Sequence, residues 1–178
     1  MGELAERVNQ LKVFVSTPDN GMTAELQGRD QLSVTFQEGL YRRSDEAGLE
    51  RKIATLANLL WLAHTREYWR IFRDVTGNYL AGSDHSQNSS VGERQQARDS
   101  VEAIGVSANG AIKLRSTGLR QWHVSIRGGT LRDLSERDFT ASLGEAAQRL
   151  LRAHAVKLAK LSYQDRPSYS NTFRVEGA

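Results

Sequence analysis

Two sets of basic side chains stand at spacings suited to holding phosphates. Lys113, Arg115, His123, Ser125 and Arg127 alternate with apolar residues over two adjacent runs, so period-two geometry puts all five on one face of a sheet. Such a face pairs phosphate oxygens through charge, which supplies affinity but carries no base information. It serves equally well as a solvated surface. Arg149, Arg152, Lys157 and Lys160 follow at helical spacing and fall on one side of a helix at about 100° per residue. They read either as a backbone-contacting stripe or as an ordinary wet face. A smaller cluster, Arg42, Arg43, Arg51 and Lys52, is partly neutralised by Glu46 and Glu50. Few aromatic residues interleave with these cations. Base stacking is therefore not indicated, and duplex binding by these groups is expected to be electrostatic and weakly selective.

Other chemistry is thinner. His64 and His154 recur late in two long helical patterns. Two histidines with no third ligand nearby make a poor metal site, and a contact between helices is the expected role. His85 falls in a polar linker. Neither GxGxxG nor GxxxxGK[ST] occurs, and there is no G-x-S-x-G elbow or H-E-x-x-H helix. The expectation is a non-enzyme with no metal, cofactor or small-molecule substrate. A different kind of site is suggested by Trp61, Tyr68, Trp69 and Phe72, which make one long helix greasy on more than one side. That surface asks for a protein partner or for self-association through the long helices.

The elements that would position these groups come twice. Gly28, Gln31, Val34, Gly39, Arg42, Glu46, Leu60, Ala63 and His64 recur 90 residues later as Gly118, Gln121, Val124, Gly129, Arg132, Glu136, Leu150, Ala153 and His154. Apolar positions line up likewise, Phe14 with Ile104, Met22 with Ile112, Leu32 with Trp122, Phe36 with Ile126 and Ile53 with Leu143. In the first copy a short helix at 2–10 precedes a strand at 11–15. The turn Thr17-Pro18-Asp19-Asn20-Gly21 follows, then Met22, Ala24 and Leu26 alternating with polar residues, and Leu32, Val34 and Phe36 after Gly28. A helix then starts at Ser44-Asp45-Glu46 with a core stripe of Leu49, Ile53, Leu56, Leu60 and Ala63. The second copy runs through a short helix near 92–100, Ile104 and Val106, an Asn109-Gly110 turn, Ile112 and Leu114, and Trp122, Val124 and Ile126. Its long helix opens at a capping box, Ser135-Glu136-Arg137-Asp138, with Asp in place of Glu. It continues through Phe139, Leu143, Ala146, Leu150 and Leu161. This reading gives an α+β chain of two modules, at 1–76 and 93–163, with a linker at 77–92 and a loose tail at 164–178.

Composition narrows the setting. The chain has 178 residues, 39% of them hydrophobic and 25% charged, which is ordinary for a packed protein. It has no cysteine, so disulfides and thiolate chemistry are excluded. The start carries early acids and no apolar core of a signal peptide, and no run approaches the roughly 20 apolar residues of a membrane span. A cytoplasmic protein is expected. The net charge of +3 is unevenly spread. Residues 1–89 hold 10 Lys/Arg against 12 Asp/Glu, whereas residues 90–178 hold 14 against 9. The second copy is the one suited to an anion.

The segment Ala108-Asn109-Gly110-Ala111-Ile112-Lys113-Leu114-Arg115-Ser116-Thr117-Gly118, with Trp122-His123-Val124-Ser125-Ile126, Leu131 and the long helix, resembles the YbaB/EbfC family of bacterial nucleoid-associated proteins. Met22 to Gln27, Gly28, Leu32 to Phe36, Leu40 and the helix from Asp45 resemble it again. The family's member is a single module with a longer N-terminal helix. Proteins of actinobacterial type VII secretion loci are similar to the same module. The resemblance implies a dimer with a shared sheet and projecting helices, supplied here by the two halves as an intrachain pseudo-dimer. It implies DNA binding in the nucleoid. The type VII relatives imply instead a protein-binding adaptor or chaperone-like factor.

Overall fold

The computed structural model describes residues 2–77 and 96–164, with side chains through Leu161. The expected linker at 77–92 and tail at 164–178 lie, apart from Gly77 and the backbone of Gln164, outside the described residues.

The first half opens with α1 (Glu3–Asn9) and an antiparallel meander of β1 (Lys12–Ser16), β2 (Met22–Gln27) and β3 (Gln31–Phe36). Alternation dictates what it buries. Val13 pairs with Leu26 and Ala24 with Val34 on the inner face, while Thr23, Glu25, Ser33 and Thr35 point away from it. The β1–β2 turn is closed by side chains rather than by glycine alone. The Thr17 hydroxyl donates to Asp19 Oδ1 at 2.6 Å and accepts from the Met22 amide at 3.0 Å. Ser107 and Asn109 repeat this arrangement in the second half, at 2.7 Å and with the Ile112 amide at 3.0 Å.

Gly39 turns the chain with φ 75° into a short helix, α2 (Leu40–Arg43), and then α3 (Glu46–Thr76) runs for 31 residues. Its Asp45 N-cap accepts from the Gly48 amide at 2.7 Å, and Gly77 ends it at φ 64°. The second half repeats the order with β4 (Glu102–Val106), β5 (Ile112–Thr117), β6 (Gln121–Ile126), α4 (Thr130–Asp133) and α5 (Glu136–Gln164), preceded by a helical turn at 96–99. The capping box at Ser135 forms in a modified way. Ser135 Oγ accepts from the Asp138 amide at 3.1 Å, and the Asp138 carboxylate takes the Ser135 hydroxyl at 2.6 Å in place of a backbone N–H.

One core runs through both halves. Leu49, Ile53, Leu56 and Leu60 of α3 and Phe139, Leu143, Ala146 and Leu150 of α5 are buried in the same cluster as both inner sheet faces. Each long helix lies on its own half's strands and also reaches the other sheet: α3 packs on β1, β2 and β6, and α5 on β4, β5 and β3. Phe139 sits 6.0 Å from Phe36 and 5.3 Å from Tyr41 between ring centroids. The Tyr41 hydroxyl donates to the Leu134 carbonyl at 3.0 Å. Complete burial of side chains such as Phe139, Leu143 and Leu150 contributes about 1.5–3 kcal/mol apiece.

One expectation is corrected. The shared sheet implied by the resemblance is not formed: the described strands make two separate three-stranded sheets. The physical reason is that the long helices occupy the inner edges. Glu50 Oε1 of α3 takes the Ile126 amide at 2.7 Å, and a Cβ on Gly144 of α5 would stand 3.2 Å from the Leu32 carbonyl of β3. Phe14 and Ile104, apolar positions matched between the two halves, turn away from the core. They are 64% and 43% exposed, while Val13 and, in the second half, Ala103 and Gly105 turn inward. At Gly105 the helix comes so close that an added Cβ would fall 1.9 Å from the Ala146 carbonyl.

Candidate nucleic-acid interface

The outer face of the β4–β5–β6 sheet is built by strand register. Arg115 lies opposite His123 on one side and Ile104 on the other, and Lys113 lies between Ser125 and Val106. Directly opposed residues of one face have Cβ atoms about 5 Å apart, so Arg115, His123 and Lys113 form one contiguous exposed group. The acid on this face, Glu102, stands at its end opposite Thr117. Arg127 follows β6 and is exposed, with Nη1 donating to the Asn109 carbonyl at 3.3 Å. The corresponding face of the β1–β2–β3 sheet differs in kind. Lys12 is paired there with Glu25 at 2.9 Å, and Thr23 and Thr35 share a hydroxyl contact at 2.5 Å. Among the described residues, one outer face thus carries cations that no carboxylate pairs with, and its counterpart is balanced.

The four helix cations do not form one free stripe. Arg149 donates to the Val106 carbonyl at 2.6 Å and pairs with Glu145 at 2.7 Å. Lys157 donates to the Glu102 carbonyl at 2.7 Å, which places both side chains along the edge of β4. Arg152 turns the other way, to Asp30 of the first half at 2.7 Å. Lys160 is exposed. Arg42 and Arg132 line an open cleft of about 710 Å³ where the two halves meet, together with Arg137, Asp45, Glu46 and Glu136. Acids and bases balance there. Glu46 also accepts from the Gly129 and Leu131 amides at 2.9 and 3.4 Å.

The aromatic residues divide. Trp61 is half-buried, stacks on His64 with ring centroids 5.4 Å apart, and lines an apolar cavity of about 50 Å³ with Leu32, Leu114 and Trp122. It packs against the core. Tyr68, Trp69 and Phe72 form their own group, with Trp69 and Phe72 edge-to-face at 5.5 Å and Tyr68 and Phe72 stacked at 6.4 Å. Trp69 is 47% exposed and Leu62 70%. They share an outward stripe of α3 with Arg51, Thr55, Asn58, Arg66 and Arg73. Arg66 and Arg73 were not singled out from the sequence, although their spacing of seven astride Trp69 carries the signal.

Of the two helix histidines, His64 is half-buried and His154 buried. Burial lowers the pKa of His64, an effect partly offset by the nearby backbone of Gly28. Burial, together with nearby Lys157, also lowers the pKa of His154, whose Nε2 is buried and has no hydrogen-bond partner among the described residues. Among the described residues no three His, Cys, Asp or Glu side chains cluster as metal ligands, and no helix is long and apolar enough to cross a membrane. Comparison with family models, with curated proteins and with solved structures finds no match to this chain. The case for function therefore rests on the chemistry of the exposed groups.

Proposed function

We propose that the protein is a nucleoid-associated DNA-binding protein of YbaB/EbfC type, duplicated in tandem so that its halves pair as an intrachain pseudo-dimer. The observation that carries this reading is the outer face of the second sheet. Lys113, Arg115 and His123 stand there exposed and adjacent, with Arg127 beyond, and among the described residues no carboxylate bonds to any of them. Such a face contacts phosphates and reads no bases. Engagement of three phosphates predicts that affinity for random-sequence duplex falls about 40-fold between roughly 50 and 200 mM salt, from a slope of about −0.9 per contact. Lys113, Arg115 and Arg127 changed together to Ser should keep the fold and flatten that dependence. Absence of binding at low salt, or an unchanged slope in the triple variant, removes this reading.

A second reading is favoured by Leu62 and Trp69, two large apolar side chains that α3 leaves exposed. They suit a protein partner, and the chain then acts as an adaptor or chaperone-like factor of the type VII secretion kind. Binding there is apolar and keeps its strength as salt rises.

A further inference from the structure

We infer that the outer edge of β1 is a self-association site, at which a second copy of this chain adds its own β1 antiparallel about a two-fold axis through Phe14. Hydrogen-bond parity shows which groups are offered. The Leu11 carbonyl accepts from the Gly28 amide at 2.7 Å and the Thr17 amide donates to the Met22 carbonyl at 2.9 Å, so the odd-numbered residues of β1 bond to β2. Lys12, Phe14 and Ser16 therefore direct their N–H and C=O groups away from the sheet. An open row of this kind is a template for another strand.

The other edges are closed. Along β4 the corresponding carbonyls of Val106 and Glu102 are taken by Arg149 and Lys157. The residues ninety positions before those cations are Leu59 and Glu67, which have no donor to offer β1. The inner edges β3 and β6 are occupied by α5 and α3. One open edge among the described strands permits a closed pair, since an isologous contact uses the same strand on both sides.

The sequence of β1 suits pairing with itself. Centred on Phe14, the register sets Phe14 against Phe14 and Lys12 against Ser16, so no like charges face each other, and Lys12 keeps its Glu25 partner at 2.9 Å. The pairing covers Phe14, which is 64% exposed. Two five-residue strands bury less than the roughly 1,200 Å² usual for stable complexes, so the pair forms in a concentration-dependent way.

The absence of cysteine from the chain makes the test direct. Hydrogen-bonded antiparallel partners have Cα atoms about 5.5 Å apart, within the range that a disulfide spans. Phe14→Cys under mild oxidation should give a covalent dimer, whereas Ile104→Cys at the matching place on β4 should not. In sedimentation equilibrium the unmodified chain should rise from 19.9 kDa toward twice that mass across about 1–500 μM. Phe14→Lys should stay at the single-chain mass with an unchanged far-UV spectrum, and Trp69→Lys should still associate. The inference is overturned by a single-chain mass at every concentration, by association that Trp69→Lys abolishes and Phe14→Lys retains, or by equal cross-linking at Ile104.

Discussion

Gly105 is the position where a single methyl group should do the most damage. An ideal Cβ there falls 1.9 Å from the Ala146 carbonyl, 2.6 Å from the Leu150 amide and 2.9 Å from Leu150 Cβ. All three lie on or next to helix backbone, so no side-chain rotation relieves the clash. Ordinary contact begins near 3.4 Å, so α5 must back away from β4 by about 1.5 Å at this place. A radial gap of even 1 Å forfeits up to about half of a dispersion contact, and the contacts at risk belong to Leu143, Ala146 and Leu150, all at most 1% exposed. Overpacking alone costs about 1–3 kcal/mol, and the lost packing brings Gly105→Ala to about 3–4 kcal/mol. Urea unfolding should show this as a lowered midpoint with an unchanged slope, and thermal unfolding as a loss on the order of 10 °C. Gly128→Ala is the control, because nothing lies within 4 Å of its added Cβ. If Gly105→Ala unfolds within about 1 kcal/mol of the unaltered protein, α5 does not lie against β4 in the way argued here.

Three further outcomes are expected. Glu46→Ala leaves the Gly129 and Leu131 amides without their carboxylate and should cost about 2 kcal/mol in urea unfolding, with Glu46→Gln recovering much of it. Equal stability of the Ala variant would show that water replaces the carboxylate at no cost. Trp122→Asp puts a carboxylate among Leu114, Val124 and Ile53 and removes the indole donor to the Leu119 carbonyl at 2.9 Å. It should abolish cooperative unfolding, and a native-like far-UV melt would refute the β6 register. Finally, burial holds His64 and His154 below the usual value of 6.5, so the unfolded chain takes protons first as the pH drops. Their contribution to stability is complete above about pH 6.5 and is lost as pH falls through the lowered values. The urea midpoint should be lower at about pH 5.5 than at about pH 7.5, and the difference should shrink in His154→Gln; an equal midpoint in the unaltered protein contradicts the burial argument.

The strands and the basic sheet face were legible because alternation is local. Lys113, Arg115 and His123 point outward for the same reason that Ile112, Leu114 and Val124 point inward, and that reason needs no tertiary knowledge. Asp45 as a cap was legible on the same terms. What could not be read depends on the other half of the chain. Trp61 and Trp69 lie eight residues apart in one greasy helix, and the second sheet, arriving with Leu114 and Trp122, helps to cover the first of them. Arg149 and Lys157 looked like free cations because helical spacing fixes the direction of a side chain and not what it reaches. Ile104 matched the core in type, yet a two-residue period with Ala103 and Gly105 on the close-packed side left it outside.

The crossing of each long helix onto the far sheet has a consequence for connectivity. Phe139 meets Phe36 and Tyr41, and Glu46 and Glu50 satisfy amides of the second half, so the interior is assembled from both stretches at once. The peptide between Gly77 and Gln96 joins the two stretches covalently. What it supplies is local concentration, holding the second stretch near the first at about millimolar strength, as a short tether does. Severed there, the two pieces retain every contact made among the described residues and lose their guaranteed proximity. Two intact chains can likewise trade halves without forming any contact that one chain does not already make.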